Sequence, residues 1–177
     1  MIRRLSIPAL PALVVVVTLV GVIAAACGGG DSGALTFTGR NLEIRFERPV
    51  ETKRVFFTAN DAQYLLEVAD PGTRIWAVKL HAVNRQINIV KLRVDSGSVE
   101  IGNGRAEQRF NALSPLEMGT KFTGEMPEDE IFIPLLWGEF ELERGFQAGG
   151  WIFFEVPAGT DINTLWWSSA DDIIGRF

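Results

Sequence analysis

The sequence predicts an all-β domain, an antiparallel β-sandwich, and three observations predict it. From Leu35 onward apolar and polar residues alternate with a period of two rather than 3.6. Turn signals interrupt the alternation at close intervals, at Asp70-Pro71-Gly72, Asp95-Ser96-Gly97 and Gly102-Asn103-Gly104. No long amphipathic helical pattern competes with them. Short strands punctuated in this way fold as a sandwich. At 177 residues there is room for one domain, and 47% apolar residues supply enough material for a core.

The strands follow in order. Asn41 to Phe46 sets Leu42, Ile44 and Phe46 on one face against Glu43 and Arg45 on the other. Val55 to Phe57 and Tyr64 to Val68 read as strands, with a short helix through Asp61 to Ala69 as the alternative for the second. Arg74 to Val83 carries the clearest alternation, Trp76, Val78, Leu80 and Ala82 lying opposite Ile75, Ala77, Lys79 and His81. Ile87 to Asp95 repeats it with Val90, Leu92 and Val94 opposite Lys91 and Arg93. Val99 to Ile101 and Arg105 to Phe110 flank a glycine-rich turn as a hairpin. Phe140 to Leu142, Trp151 to Val156 and Thr164 to Ser168 complete the set. Leu113 to Gly138 holds Pro115, Pro127 and Pro134 and lacks clear periodicity. It reads as a packed, irregular crossover, with a functional loop as the alternative.

The first 26 residues have a different character. Arg3 and Arg4 precede an apolar run from Leu13 to Ile23, and Ala24-Ala25-Ala26 leads into Cys27. A basic start, an apolar centre and small residues at the exit make an export signal. Because the small-residue triplet ends on the single cysteine of the chain, it resembles the lipobox of bacterial lipoproteins. The resemblance implies cleavage before Cys27, lipidation of its thiol and anchorage on the outer face of the cell membrane or on an outer membrane. The competing reading is an uncleaved membrane anchor through Ala9 to Ala26. Both place the rest of the chain outside the cytoplasm. Gly28-Gly29-Gly30-Asp31-Ser32-Gly33 then reads as a flexible tether. The expected organisation is a signal peptide over 1–26, lipidated Cys27 and tether over 27–34, and a sandwich over 35–177.

Glu143 to Gly159, with Gly149-Gly150 leading into Trp151-Ile152-Phe153-Phe154-Glu155-Val156-Pro157, resembles a pattern of bacterial surface lipoproteins and secreted antigens. That family is related to a secreted immunoprotective protein and has no assigned biochemistry. Trp76 to Val83 followed by Asn84 resembles its earlier strand. The resemblance implies an immunoglobulin-like sandwich displayed outside the cytoplasm, with no catalytic residues to carry over. Physical reasoning agrees at one point: Pro157 has no N–H to continue an interior ladder, so the strand must stop there.

The composition excludes several chemistries. One cysteine and one histidine leave no cysteine-cluster or histidine-rich metal site, and a net charge of −5 argues against nucleic-acid binding. His81 lies on the polar face of its strand and reads as a surface histidine. Glu125, Glu128, Asp129 and Glu130 lack the spacing and glycine of a calcium loop and read as a solvated acidic run. Asp171-Asp172 reads likewise as a solvated turn. Ser114, Ser168 and Ser169 occupy no nucleophile motif. No enzyme activity, cofactor or metal is expected.

The tryptophans carry the one binding expectation. Ile152, Phe154, Val156, Leu165 and Trp167 have the parity of core residues. If their strands are neighbours, Trp151, Phe153 and Trp166 cluster on the outside as an apolar patch suited to an interface. The alternative is that Leu113 to Gly138 or an N-terminal strand covers them. The function expected is that of a non-enzymatic, membrane-anchored surface lipoprotein binding a protein or envelope component. Its rival is a small-ligand module for a glycan or apolar solute, serving a transporter or sensor.

Overall fold

Two long strands organise the molecule, each burying one face along most of its length and the other face over part of it. The computed structural model describes residues 34–68 and 70–177. The strands are β1 (Leu35–Thr38), β2 (Leu42–Phe46), β3 (Val50–Thr52), β4 (Arg54–Ala59), β5 (Ala62–Glu67), β6 (Thr73–Asn84) and β7 (Ile89–Val94). They continue with β8 (Val99–Asn103), β9 (Gln108–Asn111), β10 (Thr120–Phe122), β11 (Gly138–Glu143), β12 (Gln147–Pro157), β13 (Thr164–Trp167) and β14 (Ile173–Arg176). A single helical turn, α1 (Pro115–Met118), precedes β10. All the ladders are antiparallel, so the all-β sandwich is the observed architecture.

The central sheet runs β1-β2-β6-β12, with β3 joining β6 beyond a break at Arg48-Pro49. β6 and β12 pair along their whole length, from Gln147 opposite Val83 to Pro157 opposite Thr73. One face of this sheet meets a second layer made of the β7–β11 pair and the β14-β13-β8-β9 sheet. Leu42, Ile44, Phe46, Val78, Leu80, Ile152, Phe154 and Val156 there bury against Val90, Leu92, Val99, Ile101, Leu165 and Trp167. The two parts of the second layer are tied where the Arg93 N–H donates to Ser169 Oγ at 2.8 Å.

A third layer covers part of the other face. The β10-β5-β4 sheet lays Val55, Phe57 and Leu66 over Ile75, Ala77 and Phe153, and Phe132 closes this second core. The β4–β5 connection is a two-residue turn, Asn60 and Asp61 at φ 48° and 58° with Ala59 opposite Ala62. Both residue types tolerate the left-handed region that such a hairpin requires, which decides for a strand and against the short helix over Asp61 to Ala69. Every residue of both cores lies between Leu42 and Ile173, inside the compact unit Asp31–Phe177, so this unit carries its own folding determinants. Among the described residues no helix is long and apolar enough to cross a membrane.

The boundaries differ from the sequence reading in one informative place. The β8 strand runs through Gly102 and Asn103, and the turn falls on Gly104 to Glu107. Asn103 Oδ1 accepts from the N–H groups of Arg105 and Ala106 at 3.0 and 3.2 Å, an Asx turn that displaces the reversal by two residues. Leu113 to Gly138 is the irregular crossover expected of it. It contributes α1, the short strand β10 on the edge of β5, and the residues that cover the free edge of β12. There the Leu113 N–H donates to the Phe153 carbonyl at 2.7 Å and the Leu136 N–H to the Trp151 carbonyl at 3.0 Å. A covered edge is one that cannot template aggregation.

Candidate functional site

The five residues assigned to the core, Ile152, Phe154, Val156, Leu165 and Trp167, are buried. The three outward aromatics do not come together. β12 pairs with β6 in the central sheet, while β13 lies between β8 and β14 in the opposite layer, so the two strands are not neighbours. Phe153 is buried in the second core, 5.9 Å from Phe57 and 6.1 Å from Phe132 between ring centroids. Trp151 is half-buried, edge-on to Phe132 at 4.9 Å, with the Lys79 ammonium 5.8 Å from its ring. Leu113, Phe132 and Leu135, all from the crossover, provide the cover. Parity along a strand states which residues share a face, and it is silent on whether a third layer lies over that face. Cys27 and the glycine tether lie outside the described residues.

Trp166 keeps an outward position, half-buried like Trp151. The register builds the surface around it: Trp166 sits opposite Glu100 of β8 and Ile174 of β14, and Glu100 opposite Asn111 of β9. One step along, Thr164 sits opposite Gly102 and Arg176, and Gly102 opposite Arg109. The Arg109 guanidinium lies 4.4 Å from the Trp166 ring and donates from Nη1 to Glu100 Oε2 at 3.0 Å. A planar cation on an indole face is favourable, and the carboxylate fixes the stack. Ile174 is 63% exposed beside it. The result is a flat outer sheet face centred on one tryptophan and one isoleucine, flanked by Arg109 and Arg176. A shallow groove of about 380 Å³ borders it, lined by Gly104, Glu107, Arg109, Thr164, Trp166 and Arg176.

Ile174, Arg109 and Arg176 escaped the sequence reading. The available signal was the alternation in Ile173-Ile174-Gly175-Arg176, which follows the Asp171-Asp172 turn and carries no assignment in the sequence reading. Gly175 is required there, because a Cβ would run into the Phe37 ring.

The remaining polar residues have structural positions. His81 faces outward on β6 with Nε2 3.6 Å from Glu47, whose carboxylate also takes Lys79 at 3.2 Å. Gly149 lies opposite His81, and any side chain on it would strike the imidazole. In the acidic run, Glu130 accepts from Arg54 Nε at 2.7 Å. Asp171 is more than a solvated turn: its Oδ2 accepts from the N–H groups of Asn41 and Leu42 at 2.7 and 3.1 Å, clamping the start of β2 to the chain before β14. Asp172 is exposed. Ser169 is buried, its hydroxyl holding β7 and its carbonyl accepting from Trp167 Nε1 at 2.8 Å. Among the described residues no group of three or more His, Cys, Asp or Glu side chains is placed to hold a metal ion. No family model, curated protein or solved structure matches the chain.

Proposed function

We propose that this chain is a non-enzymatic, lipid-anchored surface protein whose immunoglobulin-like sandwich docks a protein component of the cell envelope on the outer face of β8, β9, β13 and β14. The observation that carries the reading is the Trp166–Ile174 pair, held flat between Arg109 and Arg176. Tryptophan and arginine are the residues on which interface energy concentrates, and a rigid indole with a neighbouring aliphatic buries area at little entropic cost. Anchorage rests on the signal-like segment ending at Cys27. The acidic domain, net −5 for the whole chain, favours projection away from anionic headgroups over lying flat on them.

A glycan-binding module is the second reading, favoured by the groove beside Trp166. Sugars stack on open indole faces, but Arg109 already occupies the face of this ring. A protein surface, which needs a flat patch and not a cleft, fits better.

The test is crosslinking in intact membranes with the wild-type chain, Trp166→Ala and Ile174→Ser. The expected result is one adduct lost in both variants, with unfolding free energy lowered by less than about 1–2 kcal/mol. An adduct that survives both substitutions places the interface elsewhere. Glycan binding lost on Trp166→Ala, with no protein adduct, selects the second reading.

A further inference from the structure

Three large apolar side chains crown one end of the sandwich: Ile87 (37% exposed), Ile89 (55%) and Phe146 (63%). Ile87 lies in the turn joining β6 to β7, Ile89 opens β7 and Phe146 lies in the turn joining β11 to β12, and those turns are laced together. The Asn84 N–H donates to the Phe146 carbonyl at 3.0 Å, the Gly145 N–H to the Asn84 carbonyl at 2.8 Å and the Arg144 N–H to the Asn88 carbonyl at 3.0 Å. Asn84 is fully buried between them. Its Nδ2 donates to the carbonyls of Ile87 and Leu142 at 2.7 and 2.8 Å, and its Oδ1 accepts from the Ile87 N–H at 3.3 Å. The end of the molecule is therefore cross-braced and pairs part of its own backbone, which lowers the cost of entering a poorly hydrated interface.

We propose that this tip inserts into the interface of the lipid bilayer to which the chain is anchored. The inference rests on the anchored reading of Cys27. Charge complementarity supports lipid as the occupant: Arg144 and Arg85 flank the apolar trio and are exposed, Arg144 donating to Asn88 Oδ1 at 3.0 Å and Arg85 lying 3.5 Å from the Glu43 carboxylate, in a chain of net −5. Guanidinium groups at that height meet lipid phosphates while the isoleucines and the phenylalanine enter the acyl boundary. Glu143, exposed and opposite Ile89, limits the depth to the headgroup level. Reach also agrees. Leu35 pairs with Phe46, which pairs with Leu80, so the folded chain begins about four residues, or roughly 13 Å, short of the Asn84 end of β6. Residues 27–34 span roughly 25 Å when extended, enough for a lipidated Cys27 and the tip to share one bilayer. The anchor raises the local lipid concentration, so weak insertion suffices.

Cys27 is the single cysteine, so residues 27–177 can be coupled through it to maleimide-lipid in phosphatidylcholine vesicles containing phosphatidylglycerol. In Phe146→Trp, emission should be quenched by brominated acyl chains at least about twofold more than in the parent, and Ile87→Ser with Ile89→Ser should remove the excess. Quenching equal to the parent's overturns the proposal. So does a soluble dimer of residues 34–177 that Phe146→Ser disperses, since the tip is then a self-interface. Intact mass of the native membrane-extracted chain reads lipidation separately, so an unmodified Cys27 sinks the anchor without touching the vesicle result.

Discussion

Asn84 shows how one polar side chain inside a β-protein can hold a whole end of it. Its amide satisfies two carbonyls and one N–H across the β6–β7 turn and β11, at zero exposure. Removing a buried partner leaves those groups desolvated and unpaired, which costs more than the bond contributes. Asn84→Ala should therefore lower unfolding free energy by about 2–4 kcal/mol in chemical denaturation. Asn84→Asp keeps only the acceptor and should recover little. A loss below about 0.5 kcal/mol would show that water replaces the amide and that the tip is less firmly braced. The same scale shows where residue-by-residue reading stops. Asn84 was visible in the sequence only as the residue ending a strand, because a hydrogen bond to Leu142 joins positions far apart in the chain. Phe153 was assigned to the surface because its same-face neighbour is Glu155. The ring belongs to the second core, and Glu155 reaches the Thr73 hydroxyl at the rim.

Among the elements, alternation made legible those strands that bury one face. β2, β7 and most of β6 show it directly, polar residues standing opposite Leu42, Val90 or Leu80. It failed where an element is too short to show a period, as in β3, β10 and β14, and it fades where both faces are covered, although Val55 to Phe57 still reads as a strand. Val55, Phe56 and Phe57 of β4 are buried consecutively, since Phe56 meets Phe122 at 4.9 Å while its neighbours face the second core. The third layer was hidden for the same reason: nothing local in Leu113 to Gly138 announces that Phe132 will sit 4.9 Å from Trp151. This layering makes a kinetic prediction. The second core is small and is closed by one irregular segment, so it should open before the main sandwich. Phe132→Ala should cost about 3–4 kcal/mol by the usual penalty for deleting a buried aromatic. Hydrogen exchange is the check: amides of β4 and β5 should accelerate while those of β8 and β13 hold. Uniform acceleration would mean that the layers unfold as one unit.

At the scale of the molecule, charge bears on the proposed anchorage. Cleavage before Cys27 would remove Arg3 and Arg4 and no acid, moving the net charge from −5 to −7. An exported domain with that charge is soluble and is repelled by anionic headgroups, so contact with the membrane has to come from a covalent lipid or from a local apolar tip. On the proposed reading, the segment up to Cys27 would supply the first. A single acyl chain gives marginal binding, whereas several chains on one residue hold a protein stably, which is why the thiol matters beyond its place in the motif. The expected outcome is a membrane-extracted chain that begins at Cys27 and carries the added mass of diacylglycerol and an N-terminal acyl group. Cys27→Ser should leave the signal segment uncleaved, because modification of the thiol precedes cleavage in the family this segment resembles. An unmodified chain starting at Met1 in the membrane fraction, unaffected by Cys27→Ser, would instead establish the apolar run through Ala26 as a retained anchor. The sandwich would then hang from a span and not from a lipid.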